Sequence, residues 1–172
     1  TMTLTFVLLV TAGVSLYTDL TRRKIYNAVT VSAAALGLIL NSYQGGLDGL
    51  LYSLQGLAIG FLIFLLPYLG GGLGAGDIKL MAAVGAVKGP AFVVAAALYG
   101  AALGGLLALV FLVRGGLVRE SLSRIGRALS LVFLTRKLSW LDSLSTRPSG
   151  TIPYGVAIFG GVLLAMLVGV VR

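Results

Sequence analysis

Long apolar stretches alternate along the chain with short polar or glycine-rich interruptions. A hydrocarbon core about 30 Å thick takes roughly 20 apolar residues per helix, fewer where neighbours shield the helix. On that measure the pattern predicts an all-α, polytopic membrane protein of about six transmembrane helices. The first piece runs near 2–18 and stops at Asp19, followed by Arg22, Arg23 and Lys24; with no basic stretch before it, it reads as a span rather than a cleaved signal peptide. The second covers about 27–42 and leads into the turn-like Asn41-Ser42-Tyr43-Gln44-Gly45-Gly46; the third covers about 48–69 and ends in Gly70-Gly71-Gly72. The fourth has only about a dozen residues from Asp77 to Lys88-Gly89-Pro90, so it is expected to be short and shielded by its neighbours. The fifth covers about 91–113 and the sixth about 152–171.

Charge placement orients these spans, because positive loops stay on the cytoplasmic side. Putting the loops after spans 1, 3 and 5 inside collects Arg22, Arg23, Lys24, Lys79, Arg114, Arg119, Arg124, Arg127, Arg136, Lys137 and Arg147 there, and leaves only Lys88 and Arg172 outside. The expected topology is N-out and C-out in the cytoplasmic (inner) membrane, and it accounts for the net charge of +8 without a nucleic-acid partner. Most of the charge falls in 114–150, where Val118, Leu122, Ile125, Leu129 and Phe133 recur at helical spacing. Glu120 and Arg124 form an i,i+4 pair and Trp140 is an interfacial anchor, so this segment reads as a basic amphipathic helix on the lipid surface, either a connector or a substrate-docking element. The chain holds six Gly-x-x-x-Gly pairs, including Gly56/Gly60, Gly85/Gly89 and Gly100/Gly104, but with 25 glycines chance supplies several, so close helix packing is supported only weakly. No internal repeat is evident, and residues 1–172 are expected to form a single transmembrane domain, with a homo-oligomer left open.

Composition narrows the chemistry. Without Cys or His there are no disulfides, Cys nucleophiles, Ser-His-Asp triads or His- or Cys-ligated metals. Acid–base work falls to Asp19, Asp48, Asp77, Glu120 and Asp142. The topology brings two of these, Asp19 at the end of span 1 and Asp77 at the start of span 4, to the cytoplasmic face, while Asp48 belongs to the outer end of span 3. Two aspartates sharing a proton suffice for peptide hydrolysis without metal or cofactor: one activates water, and its protonated neighbour polarises the scissile carbonyl. The bland alternatives are ion-paired acids at helix ends and Asp77 as an N-cap. Before Asp77 lies Gly70-Gly71-Gly72-Leu73-Gly74-Ala75-Gly76, a backbone that an extended peptide could approach and pair with as an added strand. A phosphate loop is poorly supported, since no third glycine, no Lys-Ser/Thr and no strand accompany Gly74-x-Gly76.

Gly74-Ala75-Gly76-Asp77, followed by Ile78-Lys79-Leu80, resembles the Gly-x-Gly-Asp signature of the prepilin peptidases, or type IV leader peptidases, a branch of the membrane aspartic proteases. Asp19 to Asn27 resembles the family's first-aspartate segment, and Ile152-Pro153-Tyr154-Gly155 resembles the motif opening its last helix. The resemblance implies an aspartic endopeptidase that removes the short basic leader from type IV prepilin, pseudopilin or preflagellin-like precursors at the cytoplasmic face, with Asp19 and Asp77 catalytic. Gly74, Gly76, Lys79, Asn27, Pro153, Tyr154 and Gly155 are expected to bind substrate or shape the site. Lys79 either snorkels or adds to the field of the pair. Asn27 either caps span 2, the favoured reading, or bonds near Asp19. Pro153 suits the first turn of the last span, and Tyr154 lines the cleft or anchors at the interface.

Tyr26 stands where the family often has proline, and with no cysteine among the 172 residues the cysteine-containing cytoplasmic region of larger members is not expected. The short form is similar to the peptidases of tight-adherence pili or archaeal preflagellins, and methyltransferase activity is not expected. The competing reading is a non-enzymatic membrane scaffold or small transporter subunit, in which the acids serve as ion-pair or proton-relay residues.

Overall fold

A computed structural model describes residues 2–70, 72–114 and 154–169, without the side chains of 111–114. Its elements are α1 (Met2–Arg22), α2 (Asn27–Leu69), α3 (Ala75–Lys88), α4 (Pro90–Arg114) and α5 (Tyr154–Leu167), with no strand among the described residues. Three stretches, Met2–Arg22, Asn27–Leu69 and Pro90–Val110, are long and apolar enough to cross a membrane. The outer faces carry exposed Phe6, Leu62, Leu98 and Leu106, as lipid contact requires. The amphipathic segment expected at 114–150, Trp140 and Pro153 lie outside the described residues apart from Arg114, the last residue of α4.

The second and third expected spans form one 43-residue element rather than two helices joined by a polar turn. Asn41 and Ser42, read as turn residues, instead donate back to the carbonyls of Gly37 (2.9 Å) and Leu38 (2.7 Å), a bond that keeps such side chains inside a helix. The interruption narrows to Gly46, whose φ of 58° and ψ of −133° only glycine adopts readily. Around it the element folds back, so that Gly49 lies against the Asn41 carbonyl. The first arm runs alongside α3 in the same direction, from the Asn27–Lys79 contact to Gly37 against Ala86. The second returns antiparallel, from Gly56 against Gly85 to Gly60 against Met81.

At 14 residues, α3 spans only about 21 Å. From Asp77 to Val87 every residue but Lys79 is buried, enclosed by α1, both arms of α2, α4 and α5. A helix apolar on all sides belongs in such an interior, as the short fourth span was expected to. Its last carbonyls, which lack intrahelical donors, are met from α2: Ser53 Oγ and Asn41 Nδ2 donate to Ala86 O at 2.5 and 3.0 Å, and Tyr52 donates to Lys88 O at 3.0 Å.

Backbone-to-backbone packing brings α3 to its neighbours. A methyl group on Gly56 would strike the Gly85 carbonyl, and one on Gly85 would strike that of Gly56. On the other side of the bundle, Gly161 of α5 sits 2.5 Å, measured from a would-be Cβ, from the backbone nitrogen of Gly100 in α4. Of the three glycine pairs picked out in the sequence, Gly56, Gly60, Gly85 and Gly100 lie against backbone of a neighbouring helix, whereas Gly89 faces the Tyr52 ring and Gly104 only side chains of α5. Lys88 donates to Thr5 Oγ1 at 2.7 Å, which sets the start of α1 beside the end of α3. Helices α1 and α3 are thus antiparallel, and Asp19 and Asp77 come to the same end of the bundle.

Candidate active site

Asp19 lies in the last turn of α1, half-buried, just before Arg23 ends the helix with a φ of 49°. Its Oδ2 accepts a hydrogen bond from the backbone N–H of Gly155 at 3.0 Å. That N–H belongs to the first turn of α5 and has no partner within its own helix, while the positive end of the helix dipole favours a carboxylate there. The approach requires glycine, since a Cβ at 155 would stand 2.5 Å from Asp19 Oδ2. Thus the Ile-Pro-Tyr-Gly motif supplies a main-chain donor to an acid 136 residues away, a function of Gly155 that no local spacing announces.

Asp77 is buried, at 8% exposure, and its position in α3 differs from the N-cap considered for it. Gly74, extended at φ −84° and ψ 154°, is the cap, and the helix begins at Ala75. Asp77 reaches back from the first turn and its Oδ2 accepts the Gly74 N–H at 3.0 Å, as an acid three residues past a cap often does. Helices α1 and α3 are in contact, and their antiparallel packing brings the turns that carry Asp19 and Asp77 to the same end of the bundle. Each carboxyl thus has one oxygen fixed by a backbone donor.

The remaining expected residues frame this pair unequally. Gly76 backs onto the link between α1 and α2, where a Cβ would come within 2.9 Å of Ile25 Cβ. Asn27 does not cap α2: Tyr26 holds the cap position without a side-chain bond, and Asn27 Oδ1 accepts from Lys79 Nζ at 2.9 Å. Lys79 thereby ties the start of α2 to the start of α3, and both side chains are exposed. Tyr26 OH accepts from Arg22 Nη1 at 2.8 Å, so an aromatic clasp spans the α1–α2 turn. Tyr154 opens α5 next to Gly155 and is half-buried. Asp48 is exposed beyond Gly46, at the end of the bundle away from Asp77. Glu120 and Asp142 lie outside the described residues, and among the described residues no cluster of acids suits a metal ion.

Neither the curated proteins nor the solved structures give a match to the chain. The family model of the type IV leader peptidases matches residues 6–109, more than half of the chain and a stretch that holds both Asp19 and Asp77. With an all-helical bundle, apolar spans and two acids at one end of it, the chain belongs to the type IV leader peptidase family and is a membrane peptidase.

Proposed function

We propose that the protein is a membrane-embedded aspartic endopeptidase that removes the short basic leader from type IV prepilin, pseudopilin or preflagellin-like precursors at the cytoplasmic face of the inner membrane. The observation that carries this reading is the placement of Asp19 and Asp77 at one end of the bundle, each oriented by a backbone N–H. One carboxylate takes a proton from water as the oxygen attacks the scissile carbonyl. The other, protonated, donates to the carbonyl oxygen and supports the tetrahedral intermediate. As the C–N bond breaks, a proton passes to the leaving amine, and the pair returns to sharing one proton. No cofactor enters this cycle, and no methyl transfer is assigned to the chain.

The exposed, extended backbone at Gly74, preceded by the exposed Gly72, suits alignment of a substrate strand beside Asp77. The basic amphipathic segment and membrane lipids complete the surroundings on this reading. The test is co-expression with precursors carrying short basic leaders, followed as a mobility shift. Shortening by the wild type supports the reading, and failure across several precursors moves weight to the scaffold or transporter alternative.

Gly155 offers a second check. In Gly155→Ala the new methyl displaces the Asp19 carboxyl or the start of α5, and a displacement near 1 Å at such a pair costs about 100-fold in rate. Gly13→Ala, where nothing lies within 4 Å, should cleave at the wild-type rate in the same timed assay.

A further inference from the structure

Ser15 is fully buried, and its hydroxyl has no hydrogen-bond partner. The other buried hydroxyls among the described residues are satisfied: Thr11 donates to Val7 O, Thr30 to Asn27 O and Ser53 to Ala86 O. A buried polar atom without a partner is costly, and alanine would fill the same space without that cost. Ser15 lies one helical turn before Asp19 on the same face of α1, the face turned to α3 and α5. Helical side chains lean toward the N-terminus of their helix, so the Asp19 carboxyl tilts over the turn that carries Ser15. Residues so spaced have Cβ atoms about 5–6 Å apart, a gap that one water bridges.

We propose that Ser15 is a positioning residue for the peptidase: through one water, its hydroxyl holds the Asp19 oxygen that Gly155 leaves unbound. The carboxylate is then fixed at both oxygens, from above by the α5 backbone and from below by Ser15, and it presents its lone pair to the attacking water in one orientation. This inference rests on the Asp19/Asp77 reading. It adds to that reading why a buried hydroxyl without a protein partner stands on the face of α1 that carries Leu8 and Ala12 into the apolar core.

The test uses the full chain in detergent or nanodiscs and a basic-leader precursor that the wild type cleaves, with Asp19→Asn assayed alongside. Ser15→Ala is expected to melt close to wild type, because alanine fills the same space and the only bond lost is the water-mediated one to Asp19. It should keep KM within about twofold and lose kcat by about tenfold, the loss expected for a hydrogen bond to a charged group. Ser15→Thr, which keeps the hydroxyl, should restore most of kcat. Unchanged kcat in Ser15→Ala overturns the proposal, as does a fall in kcat that follows a fall in melting temperature and is not rescued by threonine. Cleavage that persists in Asp19→Asn instead overturns the dyad reading, and this inference with it.

Discussion

Asp77→Asn and Asp19→Asn should each stop precursor cleavage while leaving the protein inserted and folded. Asparagine has nearly the size of aspartate, and its carbonyl oxygen can still accept from Gly74 N–H or Gly155 N–H, the bonds that seat these side chains. What it cannot do is carry or release a proton at working pH. On the proposed mechanism the two acids share one proton cycle, so losing either removes both the base and the acid step, and a fall of at least about 10³-fold is expected. Asp48→Asn, at the far end of the bundle, should cleave normally. The measurement is the processed fraction of a co-expressed precursor over time, normalised to enzyme in the membrane fraction. Processing that survives in either variant would sink the two-aspartate mechanism.

A different kind of loss is expected from Gly56→Val or Gly85→Val. Each residue faces the other's carbonyl across the contact between the second arm of α2 and α3, and neither backbone can yield without moving its helix. Overpacking of a fitted interior costs about 1–3 kcal/mol or more, and here the displaced element is the one that carries Asp77. Both variants should lose heat resistance and activity together, read as melting in detergent and as cleavage rate. The same glycine-to-larger change is harmless where space is open, so Gly13→Ala in α1 should melt no lower than wild type. Equal tolerance at positions 13, 56 and 85 would show that the glycine contact does not hold α3 in place.

These expectations depend on features of unequal legibility in the sequence. The long apolar helices at Met2–Arg22, Asn27–Leu69 and Pro90–Val110 were readable because length and apolarity are local properties, and the shielding of the short helix before Lys88 followed from its length alone. The reversal in α2 was placed too broadly. Asn41 and Ser42 look like turn residues, yet within a helix they bond to carbonyls four residues back, which leaves Gly46 as the break. Asn27 was expected to cap its own helix, but its partner Lys79 is 52 residues away and is brought near only by packing. The glycine pairs could not be told from chance by counting, because their meaning lies in which backbone faces them. Asp19 and Asp77 were nominated by charge topology and by resemblance. The Gly155 donor and the buried Ser15 hydroxyl needed the assembled bundle, since neither has a local signature.

The bond from Gly155 to Asp19 also bears on how the molecule comes into being. It joins positions 136 residues apart, whereas the stretch matched to the family, residues 6–109, already contains both acids. A chain synthesised from its N-terminus thus possesses its two aspartates well before the donor that orients one of them. Closing so long a loop is entropically unfavourable until α5 docks against α4 and α1. On the proposed mechanism, the nascent protein is proteolytically silent while it is threaded into the bilayer, and the onset of cleavage becomes a clock for the arrival of α5.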